Sequence, residues 1–92
     1  MYVLRVQHAV HDYAEWKAAF DSDPLGREKA GVRSYRVLRP VDDPSAVMID
    51  LEFDTAAEAE ALEAALRDLL TRVTVAVDPQ TRVVEVVEAE RY

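Results

Sequence analysis

The sequence contains no cysteine, which excludes disulfide bonds, thiolate metal sites and a thiol nucleophile. It also lacks an apolar run long enough to span a bilayer, and no signal peptide is visible. We therefore expect a cytoplasmic protein with no membrane partner. Basic residues are scarce, because 11 Lys and Arg stand against 18 Asp and Glu, for a net charge of −7. A phosphate backbone would be repelled by this charge, so nucleic acid is not an expected partner.

The chain is short but rich in apolar residues. Half of its 92 residues are hydrophobic, which predicts one folded domain over residues 1–92. A chain of this length buries only about two-thirds of its unfolded surface. Association with a second copy would supplement such a small core.

The first ten residues alternate between two faces, which is typical of a half-buried strand. The set predicted to face the core is Tyr2, Leu4, Val6, His8 and Val10. The set predicted to face the other way is Val3, Arg5, Gln7 and Ala9. His8 is therefore expected on the core side, near the end of the strand.

Two helices are predicted by their caps and apolar stripes. Asp12 is placed to cap the first helix, with Glu15 completing a box-like pair, and aromatic residues at helical spacing form its apolar face: Tyr13, Trp16 and Phe20. A short helix or turn is predicted over residues 24–29, ended by Gly31 in a left-handed conformation. Thr55 and Glu58 form a capping box before the second helix, whose stripe comprises Leu62, Leu66, Leu69, Leu70 and Val73.

Strands over 32–39 and 46–53 are joined by a short loop, which predicts an antiparallel hairpin. The register that joins their apolar sets places Val37 opposite Ile49, Tyr35 opposite Leu51 and Arg36 opposite Asp50. The last strand is predicted over 82–90. Residues 71–77 allow two interpretations: an unwinding helix end, which we favour, or a further strand that turns back at residues 78 and 79.

The predicted order is β-α-β-β-α-β, an α+β ferredoxin-like fold with a four-stranded antiparallel sheet and both helices on one face. The opposite sheet face is too apolar for a free surface and too charged for a monomer core. A second copy packed on that face would satisfy both features, so we predict a homodimer with Arg36 and Asp50 near the interface. The alternative is a solvated sheet with scattered apolar residues.

Several segments together resemble the dimeric α+β barrel superfamily, which includes antibiotic biosynthesis monooxygenase-like proteins. The matching segments are HAVHDY at residues 8–13, WKAAF at 16–20, GVRSYRVLR at 31–39, DDP at 42–44 and LEFDT at 51–55. More narrowly, the chain resembles short bacterial members of unknown function. The resemblance implies facing sheets in a dimer and a pocket between each sheet and its own helices.

The resemblance carries few functional residues over to this chain. The family's haem-degrading members use an asparagine and a histidine on the second helix, and this chain has no asparagine and no histidine in that helix. No haem or other cofactor is therefore predicted. The quinone-forming members line their pocket with Asn, Trp and His, for which only Trp16 and His8 can stand in.

The candidate site residues follow from position rather than from a motif. His8 is the candidate catalytic base, and its alternative role is that of a core-edge histidine bonded to the backbone or to Tyr35. Trp16 and Tyr35 are candidate ligand-binding residues, because Trp is rarely buried completely and can line a cavity mouth. A metal site formed by His8 and His11 is not predicted, because the two side chains do not share a helical face.

Two functions fit these features. The first is a small dimeric protein that binds an apolar or aromatic molecule between sheet and helices. The alternative is a cofactor-independent monooxygenase or polyketide cyclase-like enzyme, in which His8 takes a proton from a phenol and Trp16 positions the ring.

Overall fold

The computed structural model describes all residues from 1 to 92 and has the predicted β-α-β-β-α-β order. Its elements are β1 (Tyr2–Ala9), α1 (Tyr13–Asp21), β2 (Ser34–Leu38), β3 (Ala46–Phe53), α2 (Ala56–Leu70) and β4 (Val77–Glu85). The four strands form one antiparallel sheet in the order β2-β3-β1-β4. Neither α1 nor α2 has the length and the hydropathy that a membrane-spanning helix requires.

The predicted register of the β2–β3 hairpin is confirmed. Tyr35 lies opposite Leu51, Arg36 opposite Asp50, and Val37 opposite Ile49. A shift by one residue would move the apolar side chains of β2 to the wrong face, which is why alternation fixes this register so strongly.

The core lies between the sheet and the two helices. Of the residues of β1 predicted to face inward, Leu4, Val6 and His8 are buried there, with Leu4 completely inaccessible, and Tyr2 is half-buried. They pack against residues of β3, α1 and α2. The buried residues of this hydrophobic core are Leu4, Val6, Val10, Trp16, Val32, Val47, Ile49, Leu51, Phe53, Ala59 and Leu62. The sheet face turned away from the helices, here called the outer face, carries the alternate residues of each strand.

Both helix caps form where the sequence places them. The Asp12 carboxylate accepts hydrogen bonds from the backbone N–H groups of Ala14 and Glu15, although the Glu15 side chain does not return a bond. The Thr55 hydroxyl accepts from the N–H of Glu58 and donates to its carboxylate. These bonds satisfy donors that a helix start otherwise leaves unpaired.

The position of the last strand differs from the prediction. β4 begins at Val77 rather than at residue 82 and ends at Glu85 rather than at residue 90. Its pairing with β1 shifts between Gln7 and Ala9, where β4 contains one extra residue, and Asp78 has a positive φ of 51°. Residues 78 and 79 thus form a β-bulge rather than a reverse turn. A proline is tolerated here because β4 is an edge strand. Residues 71–76 follow α2 as turns and bends, in agreement with the favoured interpretation of an unwinding helix end.

The segment between α1 and β2 consists of turns rather than a helix. The carboxylate of Asp23 accepts from the N–H of Arg27, and Gly31 has the predicted left-handed conformation, with φ of 102°. β2 is shorter than predicted, because pairing with β3 begins only at Ser34.

Candidate functional site

A cavity of about 320 Å³ lies between the sheet and the helices. Its wall is mostly apolar and includes side chains from the sheet, both helices and the segment after α2. The stripe of α2 explains the space: Leu62 is buried in the core, whereas Leu66, Leu69 and Leu70 are only half-buried and face the cavity. The volume is at the lower end of the range for small-molecule sites.

His8 lies in the cavity wall as the only imidazole there, and 6% of its surface is exposed. Its Nδ1 is 2.9 Å from the carbonyl oxygen of Ala9. A carbonyl can only accept, so Nδ1 carries the proton and Nε2 keeps its lone pair. No fully buried side-chain nitrogen or oxygen lacks a hydrogen-bond partner, and Nε2 has no partner within the protein, so Nε2 is not fully buried.

The environment of His8 favours the neutral imidazole. Burial lowers the pKa of His8 below its ordinary value, while the hydrogen bond to the Ala9 carbonyl acts in the opposite direction. The alternative role of a backbone-bonded histidine is therefore correct for one ring nitrogen. The other nitrogen is a hydrogen-bond acceptor, or a base, beside an apolar space.

Trp16 lies beside His8 in the same wall, at 5.4 Å between ring centroids. It is only 5% exposed, so it is both a core residue and a cavity residue. Phe20, which the sequence placed on the apolar face of α1, stacks on Trp16 at 5.2 Å between ring centroids and also lines the cavity. A flat ring entering the cavity would meet these aromatic faces.

Tyr35, the third predicted site residue, does not line the cavity. It is 45% exposed and contacts the edge of Phe20, with the guanidinium group of Arg27 5.0 Å from its ring centroid. Tyr35 lies on the predicted side of the sheet, but it belongs to the edge strand β2. Phe20 therefore lies between Tyr35 and the cavity. The ligand-binding role predicted for Tyr35 is not supported by its location.

Sequence reasoning missed the loop residues of the cavity. Pro24 and Leu25, after α1, and Val75, before β4, all line it. No local pattern marks them, because they reach the site only through the packing of their loops. The structure brings together no three acidic or histidine side chains that could hold a metal ion.

The outer face has a buried charge at its centre. Asp50 is 3% exposed, and its carboxylate accepts two hydrogen bonds from Arg5, at 2.8 and 2.9 Å, and one from Arg36, at 3.1 Å. These bonds, those from Arg5 above all, lower the pKa of Asp50 below its ordinary value. The acidic and basic groups predicted near an interface are therefore paired within one protomer.

Comparison with known proteins identifies the fold. No protein-family model and no curated protein matches the sequence. Among solved structures, a variant of SnoaB, a cofactor-independent oxygenase from Streptomyces nogalater, matches with a TM-score of 0.76 and 12% identity, over 96% of this chain and 94% of that chain.

Two further structures agree with this result. A dimeric ferredoxin-like protein from an uncultured marine organism has a TM-score of 0.67 and 18% identity, over 97% of each chain. A variant of MhuD with two manganese protoporphyrin IX molecules in each active site also has a TM-score of 0.67 and 18% identity, over the whole of both chains. At these identities the similarity establishes the ferredoxin-like α+β fold, as the sequence predicted.

Proposed function

We propose that the protein is a homodimer in which each protomer binds a small apolar or aromatic molecule in the cavity between sheet and helices. The observation that carries this proposal is the apolar cavity with His8 and Trp16 on its wall. A purely structural core would be filled by side chains to the density of an organic crystal. Here three leucines of α2 remain half-buried around open space instead.

The polar content of the cavity narrows the class of ligand. His8 offers an acceptor at Nε2, and burial keeps it neutral near physiological pH. An aromatic molecule with one hydroxyl group would bury its ring against Trp16 and Phe20. Its hydroxyl group would donate a hydrogen bond to Nε2 of His8. A phenol is the simplest molecule of this kind.

The cavity can be tested by calorimetric titration with 2-naphthol, an aromatic alcohol. Ala19 lies on the cavity wall and Ala18 does not, although both are exposed on α1. Ala19→Phe should obstruct the cavity and weaken binding, whereas Ala18→Phe should leave it unchanged. Equal effects of the two variants, or no saturable binding by the unmodified protein, would contradict the proposal.

The outer face is the proposed dimer interface, with Arg36 and Asp50 close to it. Leu38 and Met48 are paired there in register and are only half-buried in one protomer. The dimeric state of a structural neighbour with the same fold supports this arrangement. Leu38→Glu should convert the dimer into a monomer by placing a charge in the interface, whereas Val41→Glu, at a fully exposed loop position, should not. Light scattering that finds only monomers of the unmodified protein would overturn the dimer.

The second candidate function is a cofactor-independent oxygenase or cyclase. Its specific support is His8, a neutral base beside an aromatic wall, together with the shared fold of SnoaB, itself a cofactor-independent oxygenase. His8 would remove the proton from the bound hydroxyl group, and the apolar wall would exclude water. Consumption of dioxygen with an electron-rich phenol, lost in His8→Ala, would establish the enzyme. Binding without turnover across a panel of such phenols would favour the first function.

A further inference from the structure

The apolar cavity has a second polar region besides His8. The other polar side chains of its wall come from the segment that follows α1 directly: Ser22, Asp23 and Arg27. Arg27 is the only Lys or Arg in the wall. It also lines a shallow depression on the surface beside Tyr35, so its side chain lies between the cavity and solvent. A guanidinium group therefore stands at the mouth of a cavity that is otherwise mostly apolar.

Arg27 is held more tightly than the other paired arginines of this protein. Its side chain is 17% exposed, whereas the other arginines that form ion pairs are at least 51% exposed. The guanidinium carbon lies 4.0 Å from the ring centroid of Phe20 and 5.0 Å from that of Tyr35, within the range of cation–π contacts. A charge shielded from water in this way acts more strongly on a nearby ion than an exposed charge does.

The hydrogen bonds of Arg27 leave one edge of its guanidinium group unused. Nη1 donates to the backbone carbonyl of Phe20 at 2.7 Å. The same atom is 3.6 Å from Oδ1 of Asp23, which already accepts the backbone N–H of Arg27 at 2.9 Å. Nε and Nη2 have no acceptor within the protein, and since no fully buried side-chain nitrogen lacks a partner, these two donors are not fully buried. The edge formed by Nε and Nη2 can therefore bind a ligand.

We infer that Arg27 selects a ligand with a carboxylate group, so that the molecule in the cavity is an aromatic hydroxy acid. The same edge of Arg5 binds the two carboxylate oxygens of Asp50 at 2.8 and 2.9 Å, which is the geometry that a ligand carboxylate would adopt. His8 contacts Trp16, and Arg27 contacts Phe20, the ring stacked on Trp16. The hydroxyl and carboxylate groups would therefore bind at opposite ends of the aromatic wall. This inference rests on the proposed function and names its class of ligand.

The test compares 2-naphthol with 6-hydroxy-2-naphthoate, which adds a carboxylate at the far end of the same ring system, by calorimetry at neutral pH. The unmodified protein should bind the naphthoate about tenfold more tightly, since charged hydrogen bonds are gained. Arg27→Gln should remove most of this preference and leave the affinity for 2-naphthol unchanged. Arg27→Lys should restore only part of the preference, because it keeps the charge but not the paired donors.

Arg39→Gln is the matched control. Arg39 also packs on an aromatic ring of α1, that of Tyr13, and donates to a backbone carbonyl, but it does not line the cavity. The variant should keep the preference for the naphthoate. Equal affinities of the unmodified protein for the two ligands would overturn the role of Arg27 and leave the apolar binding site standing. Equal weakening of both ligands by Arg27→Gln would show that Arg27 only supports the cavity wall. Failure of both ligands to bind would overturn the proposed function and this inference with it.

Discussion

Replacing Asp50 by asparagine tests how the outer face is held together. The carboxylate is 3% exposed and accepts three hydrogen bonds from two arginines. Loss of one partner from a fully buried ion pair costs about 3–5 kcal/mol. The side chains of Arg5 and Arg36 are 51% and 68% exposed within one protomer, so the cost to the folding of the protomer should be lower. We expect the free energy of unfolding of Asp50→Asn to fall by about 2 kcal/mol.

Acid should remove the same contribution. The folded-state pKa of Asp50 is lowered by its bonds to Arg5 and Arg36, whereas an unfolded Asp titrates at about 3.9. The stabilisation is therefore complete above roughly pH 5 and is lost as the pH falls through the folded-state pKa. The difference in stability between the unmodified protein and Asp50→Asn should shrink accordingly.

Urea unfolding at one fixed protein concentration measures both effects, since dimerisation would otherwise alter the apparent stability. Glu52→Gln is the control, because Glu52 lies on the same face of β3 and accepts only a surface bond from Ser34. We expect it to cost no more than about 0.5 kcal/mol. A cost for Asp50→Asn as small as that of the control, or a difference that acid does not reduce, would refute this view of Asp50.

Further predictions concern the cavity and the caps. The affinity for 2-naphthol, measured by calorimetry across pH, should fall only below about pH 6.5, because protonation of His8 removes the acceptor and its pKa is already lowered; 2-methoxynaphthalene, which has no donor, should show no such fall. Gly31→Ala should reduce stability by about 1–3 kcal/mol in urea unfolding, because φ is 102° and the new Cβ would collide with the Glu58 carboxylate, and Gly26→Ala, where the space is open, should cost less. Thr55→Ala should lower the thermal midpoint through loss of a cap worth about 1 kcal/mol.

Alternation along the strands made much of this structure predictable. In β1 it fixed the side of the sheet on which His8 lies, and in the β2–β3 hairpin it fixed the pairing of Arg36 with Asp50. Both follow because neighbouring residues of a strand point to opposite faces. The bulge in β4 was not predictable in this way, since Pro79 in the sequence suggests the end of a strand. A proline is tolerated inside this strand because β4 lies at the edge of the sheet.

The position of a residue across the sheet was the second feature that the alternation could not predict. Alternation places Tyr35 on the same side of the sheet as His8, but the packing of Phe20 decides which of them reaches the cavity.

The most direct test of the cavity as a binding site is a nuclear Overhauser experiment on the protein with bound 2-naphthol. Trp16 provides the only indole and His8 one of two imidazoles, so their ring protons are readily assigned. We predict Overhauser contacts from the ligand ring to both Trp16 and His8. Binding without contacts to either ring, with contacts instead to residues outside the cavity, would contradict the proposed site.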